Sequence, residues 1–493
     1  METPSFDKLA AEGVNFTNAY CQMPLCTPSR LCLLTGKEAR RAGAWKNGSI
    51  LDPELPTLPR ALSEAGYETC LVGKMHLGGR NQMAGFQHRP YGDLTGGTGH
   101  QGQEVPDWFE GSKFRWRVDG VGHLNHPESL LQEQVVAQES ISWIREHRNE
   151  KPDTPWFLCA SFSRPHFPLT APKRWFDRYW PSGVTPPMAP AAGDSFDHPM
   201  CVNMRAGFEV DNLSKEETMR MRAGYFACVS FLDEMIGDML TRLDRSGELE
   251  NTIIVYTSDH GEMAGEHGSW WKHSFHEASV RVPLMISLPE HRYGGQPGRR
   301  IDTPVGLIDL FPTLCGLAGV EIPHDLDGRD LSSAIRGESS LSPEPVFSDN
   351  LTARWGKGSE FRLVRFENYK YVCFRDGSEL LFDLEKDPLE QRDLARRKGE
   401  ARNDQILEEL RALVDETMDF DATEREQSEW IARLAASYSL QNLSAQGNYY
   451  HMPDGSVSYA DDLVYNPVSV AQSLEEICMP SSKKTLVEIT EEA

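Results

Sequence analysis

Positive charge is scarce in this chain of 493 residues: 50 lysines and arginines face 74 aspartates and glutamates, for a formal net charge of -24 at pH 7. That deficit excludes nucleic acid as the main partner, because neutralising phosphates takes clustered Lys and Arg. It leaves room for a small anionic ligand, since a distant acidic surface is screened from a local basic pocket over roughly 8 Å. No stretch reaches the ~20 apolar residues of a membrane span without charges. The ten cysteines are scattered and include no CxxC pair, so no disulfide framework is read from them. Free thiols of this kind favour a reducing, cytoplasmic compartment.

One of those cysteines opens the run Cys26-Thr27-Pro28-Ser29-Arg30-Leu31-Cys32-Leu33-Leu34-Thr35-Gly36. Thr27 suits an N-cap, Pro28 the first helical position, the leucines an apolar stretch, and Gly36 the helix end. The free N-H groups and dipole of a helix start favour anions, and Arg30 adds a planar donor fork one turn on. Cys26 is thus predicted to sit where a phosphate or sulfate is held. A lone cysteine before a helix is ordinarily just a packed core thiol, so the rest of the motif decides. A thiolate phosphatase loop needs five residues between Cys and Arg. Three intervene here, and that chemistry fails on spacing.

Elsewhere, apolar runs of strand length end in polar residues. Thr69-Cys70-Leu71-Val72 leads into Gly73-Lys74-Met75-His76-Leu77-Gly78, Trp156 to Ala160 leads to Arg164-Pro165-His166-Phe167-Pro168, and Thr252 to Tyr256 ends at Ser258-Asp259-His260-Gly261-Glu262. Short strands separated by helical stretches predict an α/β fold with a large, mainly parallel sheet and helices on both faces. Ligands bind beyond the carboxyl ends of such strands, which gathers Lys74, His76, His166, Asp259 and His260 at one edge. Helical spacing over about 217–243 marks its methionines as core. A second helix is predicted over 306–317, interrupted or started by Pro312. Past residue 340, alternating runs at 361–366, 369–374 and 380–384, split by turn residues, read as an antiparallel meander. A helix over 406–418 follows, then one near Trp430 and a loop-like stretch from Gln441 to Pro467. The domain boundaries drawn are 1–340 (catalytic), 341–420 (antiparallel sheet plus helix) and 421–493 (extension).

Cys26-Thr27-Pro28-Ser29-Arg30 followed by Leu34-Thr35-Gly36 resembles the signature of the type I sulfatases of the alkaline-phosphatase-like superfamily. The likeness runs from the Thr3 to Ala10 segment to Asp383-Leu384-Glu385-Lys386-Asp387-Pro388. It implies that Cys26 is oxidised to formylglycine by a formylglycine-generating or anaerobic sulfatase-maturating enzyme. The hydrated aldehyde attacks sulfur with one hydroxyl, and the other lets the sulfated intermediate collapse; a serine lacks that exit. By the same resemblance, Arg30, Lys74 and His76 contact the diol and the sulfate, and His76 acts as base. His166 and Lys272 of Trp271-Lys272-His273 bind sulfate. Asp259, His260 and modified Cys26 coordinate a divalent metal. Calcium is implied, with Mg²⁺, Mn²⁺ or Zn²⁺ open because an imidazole is an unusual calcium ligand.

In the family an apolar strand ending in paired acidic residues precedes the segment that begins here at Thr3. Met1 falls almost on that segment, and Asp461-Asp462 lacks a preceding apolar strand. The expectation is therefore a chain short of one strand and of half its metal carboxylates, with the sheet opened beside the nucleophile. Secretion stays open, since a signal peptide would lie further upstream. The expected activity is hydrolysis of an aryl, carbohydrate or other small-molecule sulfate ester. The alternatives are a phosphonate or phosphate ester hydrolase, and an inactive remnant that binds anions or a partner. Trp45, Trp108, Trp116 and Trp175 are candidates for a sugar or aryl pocket, although scattered tryptophans are ordinarily core or rim residues.

Overall fold

Valine, isoleucine and aromatic residues form strands where the sequence predicts them, in a computed structural model that describes residues 1–78, 81–92, 112–124, 127–295, 298–397, 399, 401–437, 449–451 and 457–459. Strand β1 (Val14–Tyr20) pairs in parallel with β9 (Arg299–Ile301) and β10 (Val305–Gly306) and antiparallel with β8 (Arg281–Ser287). Strand β8 also pairs antiparallel with β7 (Ile254–Thr257). A second section sets β2 (Glu68–Gly73) between β3 (His88–Tyr91) and β5 (Trp156–Ser161), all parallel. The short strands β4 (Gly122–His123) and β6 (Thr170–Ala171) make a parallel pair of their own. Parallel pairing thus predominates, as expected, and β8 is the strand that runs against it.

Both β5 and β7 are edge strands, and no strand lies between them among the described residues. A cavity of about 1070 Å³ runs along the two edges and reaches Arg30, Lys74, His166, Asp259 and Lys272. Its apolar lining comes from Leu158, Val255 and, on the covering helix, Leu232 and Ile236.

That helix, Lys215–Arg245, begins at a reciprocal cap: the Glu217 N-H donates to Ser214 Oγ and the Ser214 N-H to a Glu217 carboxylate oxygen, which satisfies two of the donors a helix start leaves free. Met221 and Met235 are buried, as the periodicity predicts. The helix Leu310–Ala318 carries Pro312 in its first turn, where the missing N-H breaks no intrahelical bond. Pro312 therefore lies at the start of the helix and does not interrupt it.

The antiparallel sheet has four strands, β11 (Val346–Asn350), β12 (Phe361–Phe366), β13 (Tyr369–Phe374) and β14 (Glu379–Asp383). Helix Ala401–Thr417 buries Leu407, Leu410 and Val414. Buried ion pairs fasten this sheet within itself and to segments outside it. Arg362 meets Asp349 at 2.9 Å and Glu38 at 2.6 Å, while Lys370 meets Glu277 at 3.1 Å and also Glu390. The helix near Trp430 spans Phe420–Ser437, and its Trp430 ring lies on Gly43. Gly43 has φ +62°, and a Cβ there would fall 2.2 Å from the ring, so only glycine fits.

The described cysteines are all free. No helix among the described residues is long and apolar enough to cross a membrane. Trp108, Asp461, Asp462 and most of the stretch 441–467 lie outside the described residues.

Candidate functional site

The helix that carries Cys26 begins at that residue and spans Cys26–Thr35, with Leu25 in the cap position and no side-chain cap. This corrects the expected Thr27 cap. The Thr27 hydroxyl instead donates to the His76 carbonyl at 2.7 Å, and its N-H donates to Asn47 Oδ1 at 3.1 Å. A bond to a neighbouring loop has replaced a bond to its own helix. Gly36 ends the helix at φ 65°, as predicted.

His260 follows β7 and Lys74 follows β2, so both project from carboxyl strand ends beside the helix start. His260 Nε2 stands 3.2 Å from Cys26 Sγ, while its Nδ1 lies 2.8 Å from the Gly261 carbonyl. A proton on Nδ1 donated to that carbonyl leaves Nε2 to face the sulfur. Arg30 donates from Nε to Asp259 Oδ2 at 2.9 Å and from Nη1 to the Lys74 carbonyl at 2.9 Å and Ser161 Oγ at 3.1 Å. Its fork therefore sits on the flank of the site, fixing Asp259 and the Lys74 backbone. His166 Nδ1 lies 2.9 Å from the Phe167 carbonyl, and Lys272 Nζ is 5.3 Å from the Phe167 ring centroid. His76 adopts φ 56°, held by the Thr27 bond. Seven of the eight residues predicted from the sequence come together here through their side chains, and His76 joins them through its backbone carbonyl on Thr27.

Electrostatics bind the group together. Burial alone pushes the Cys26 thiol up, yet the charges of Lys272, Lys74 and His260, with a hydrogen bond from His166, hold it well below its ordinary value. Burial and the neighbouring Lys272 and Lys74 drive His166 well down, so its ring is neutral. Burial also lowers Lys74, offset by Cys26. For Asp259, burial is outweighed by Arg30 and His260, and the carboxyl falls to about 2. The pocket is built for an anion at the position of the sulfur.

Two residues with supporting contacts carried no sequence motif, Asn47 and Ser161, through the bonds above; a third supporting residue is Glu262 of the Asp259-His260-Gly261-Glu262 run. The last is a buried carboxylate that accepts the N-H groups of Ala264 at 3.2 Å and Trp271 at 2.5 Å and so fixes the loop bearing Lys272. Of the tryptophans, Trp45 is buried and edge-on to Trp430, and Trp175 donates to Glu234 on the long helix. Neither lines the site.

The same loop holds His267 and His273 neutral, burial lowering them to about 4 and about 3. The unfolded chain takes up those protons near 6.5, so their contribution to stability is complete above that pH and is lost as the pH falls toward the folded values. Between pH 7 and pH 5 each ring removes about 2 kcal/mol. Melting temperatures over that range are expected to fall less steeply in His273→Asn than in the parent, and equal slopes would contradict the assignment.

Comparison with known proteins places this geometry among relatives. The sulfatase family model matches residues 1–320, and the model for the C-terminal part of N-sulphoglucosamine sulphohydrolase matches 265–418. A choline-sulfatase of Rhizobium meliloti is 32% identical over 408 residues, covering 80% of this chain and 78% of its own. A solved structure in complex with its substrate D-glucosamine-2-N,6-O-disulfate superposes with TM-score 0.68 at 23% identity, covering 87% and 94% of the two chains. A phosphonate monoester hydrolase from Silicibacter pomeroyi superposes with TM-score 0.70 at 23% identity, covering 93% and 94%. At that identity the two structures speak for the fold alone.

Proposed function

The chain belongs to the sulfatase family of sulfuric ester hydrolases, and from that premise we propose that it cleaves the sulfate ester of an aryl, carbohydrate or other small-molecule substrate at Cys26, after a maturation enzyme has oxidised Cys26 to formylglycine. The observation that carries this is the Cys26 to His260 contact of 3.2 Å inside a buried ring of Lys74, Lys272 and His166. As a hydrated aldehyde, the residue at 26 would supply the oxygen that attacks sulfur and a second hydroxyl that releases it.

The surrounding groups divide the work. Lys74 and Lys272 hold the sulfate oxygens and the charge that develops on them. His166, which hydrogen-bonds Cys26, faces the same position as Lys272. Either of the two protonates the leaving oxygen. His76, pinned at its carbonyl by Thr27, serves as base toward residue 26. Arg30 orients Asp259 and keeps it ionised.

Cys26, Asp259 and His260 place one donor atom each within 4.8 Å of one another. These donors suit a divalent cation as a partial set, one carboxylate, one imidazole and the position of an oxygen nucleophile. Calcium, the proposed ion, would supply Lewis-acid polarisation of an oxygen.

A ring of cations does not by itself distinguish tetrahedral sulfur from phosphorus, so phosphonate ester hydrolysis is the second reading. In parallel assays, kcat/KM for an aryl sulfate is expected to exceed that for an aryl phosphonate, to be lost on chelation and to return with calcium. Faster phosphonate cleavage would favour the second reading. Unmodified Cys26 by mass spectrometry, with no turnover of either ester, would favour the non-catalytic remnant.

A further inference from the structure

The aromatic wall beside His166 carries two guanidinium groups that the chemistry above does not use. Arg117, in the helix Lys113–Asp119, has its Cζ 3.5 Å from the Phe167 ring centroid and 5.0 Å from that of Phe114. Arg354, in the loop after β11, lies 4.8 Å from the Trp355 ring and 5.8 Å from Phe208. The rings form two groups, Phe114–Phe208–Trp355 at 5.7 and 4.7 Å and Phe167–Trp271 at 5.1 Å, and Arg117 lies against both; all but Phe114 are buried.

Neither arginine forms a hydrogen bond or an ion pair among the described residues. That is unusual company in a chain with 74 acidic residues against 50 basic ones. Acids are at hand nearby, since Arg115 pairs with both Asp119 and Glu217, yet Arg117 pairs with neither. Burial pushes Arg117 down to about 10, the charge of Arg354 adds to this, and Glu262 acts against it. Glu262 is itself committed to two backbone N-H groups. Burial lowers Arg354 as well. Two neighbouring cations kept without a counter-ion carry a repulsive cost that an anionic ligand removes.

Their place relative to the reacting centre gives that anion an identity. The Phe167 ring meets Arg117 at 3.5 Å and Lys272 Nζ at 5.3 Å from its centroid. Arg117 and Lys272 both approach this one ring and so lie within about 9 Å of each other, a span that two substituents of a single sugar ring cover. A quaternary ammonium substrate would need aromatic or acidic partners free of positive charge, and two arginines repel it.

Resting on the sulfatase reading, we propose that Arg117 and Arg354 form a specificity subsite for a second anionic group on the substrate, which makes the natural substrate a sugar sulfate that also carries another sulfate or a carboxylate.

The test compares four probes on the matured enzyme: D-glucosamine-2-N,6-O-disulfate, a 6-O-sulfated uronate-containing disaccharide, N-acetylglucosamine 6-O-sulfate and choline sulfate. Charge-assisted bonds to a guanidinium predict kcat/KM about 10–100-fold higher for a doubly anionic probe than for N-acetylglucosamine 6-O-sulfate. Whether the disulfate or the uronate leads tells sulfate from carboxylate. Arg117→Met and Arg354→Met, the second on an exposed loop that threatens no fold, are each expected to lower that ratio about 10-fold, mainly through KM. Arg117→Lys should retain part of it. Equal values for singly and doubly anionic probes, preference for choline sulfate, or a ratio unmoved in both methionine variants overturns the subsite. Calorimetric titration of the disulfate into Cys26→Ala, with and without Arg354→Met, keeps the two readings apart. Binding that weakens with Arg354→Met, beside a wild type that cleaves no sulfate, sinks the esterase reading and leaves the subsite. Turnover of an aryl sulfate without anionic preference sinks the subsite alone.

Discussion

Cys26→Ala is expected to lower kcat/KM for an aryl sulfate by at least about 10⁴-fold, the scale on which removal of a covalent nucleophile acts. Alanine keeps the buried backbone of the helix start and removes only the sulfur, so the melting temperature should stay within a few degrees of the parent. Lys74, Lys272 and His166 remain in place in that variant, and the residual rate reports what the cationic ring achieves without a nucleophile. Cys26→Ser separates attack from release: serine offers one oxygen, so it is expected to give at most a single turnover, seen as a burst without a steady state. Full activity in Cys26→Ala would end the proposal outright.

Lys370→Met should cost about 3–5 kcal/mol of stability, because it leaves Glu277 and Glu390 as buried carboxylates with no cation between them. In the parent, burial beside Glu277 already raises Glu390 to about 7, while Lys370 counters this and helps hold Glu277 below its ordinary value. Without the ammonium, Glu390 is held further above its unfolded value, while Glu277, which Arg281 and Arg365 still face, loses the largest influence that lowers it. The folded state then binds more protons than the unfolded one, so the deficit deepens as the pH rises. Chemical denaturation is expected to show a smaller loss at pH 5 than at pH 8. Adding Glu277→Gln and Glu390→Gln should recover much of the stability, since amides need no counter-charge. A deficit independent of pH would show that Lys370 acts through packing alone.

How much of this was legible beforehand follows from where each contact originates. Cys26, Arg30, Lys74, His76, Asp259 and His260 lie in short motifs at a helix start or at strand ends, where fold and chemistry are written in the same few residues. The long helix was equally plain, because its apolar period is long and its cap is local. Thr27 misled because a cap and a tertiary hydrogen bond use the same hydroxyl, and only the approach of the His76 loop decides between them. Strand β11 escaped because Ser348, Asp349 and Asn350 make it polar, and Asp349 is paid back by Arg362 from the adjacent strand. Asn47 from a loop and Ser161 from the end of β5 share no spacing with the site, whereas Glu262 stands two positions past His260 and only its bonds to the Lys272 loop went unread. Arg117 and Arg354 stand more than two hundred positions apart in sequence, and only folding sets them against neighbouring aromatic rings.

The burial of Cys26 beneath His260 also sets a clock. The two residues are 234 positions apart, and a ribosome adds residues at ~5–20 per second. About 10–50 s therefore pass between synthesis of the thiol and synthesis of the imidazole that closes over it. Throughout that interval the cysteine stands on an incomplete chain, open to an enzyme large enough to oxidise it. Once the loop from β7 folds down, that access ends, so the proposed oxidation of residue 26 would run in a race with the growth of the chain behind it.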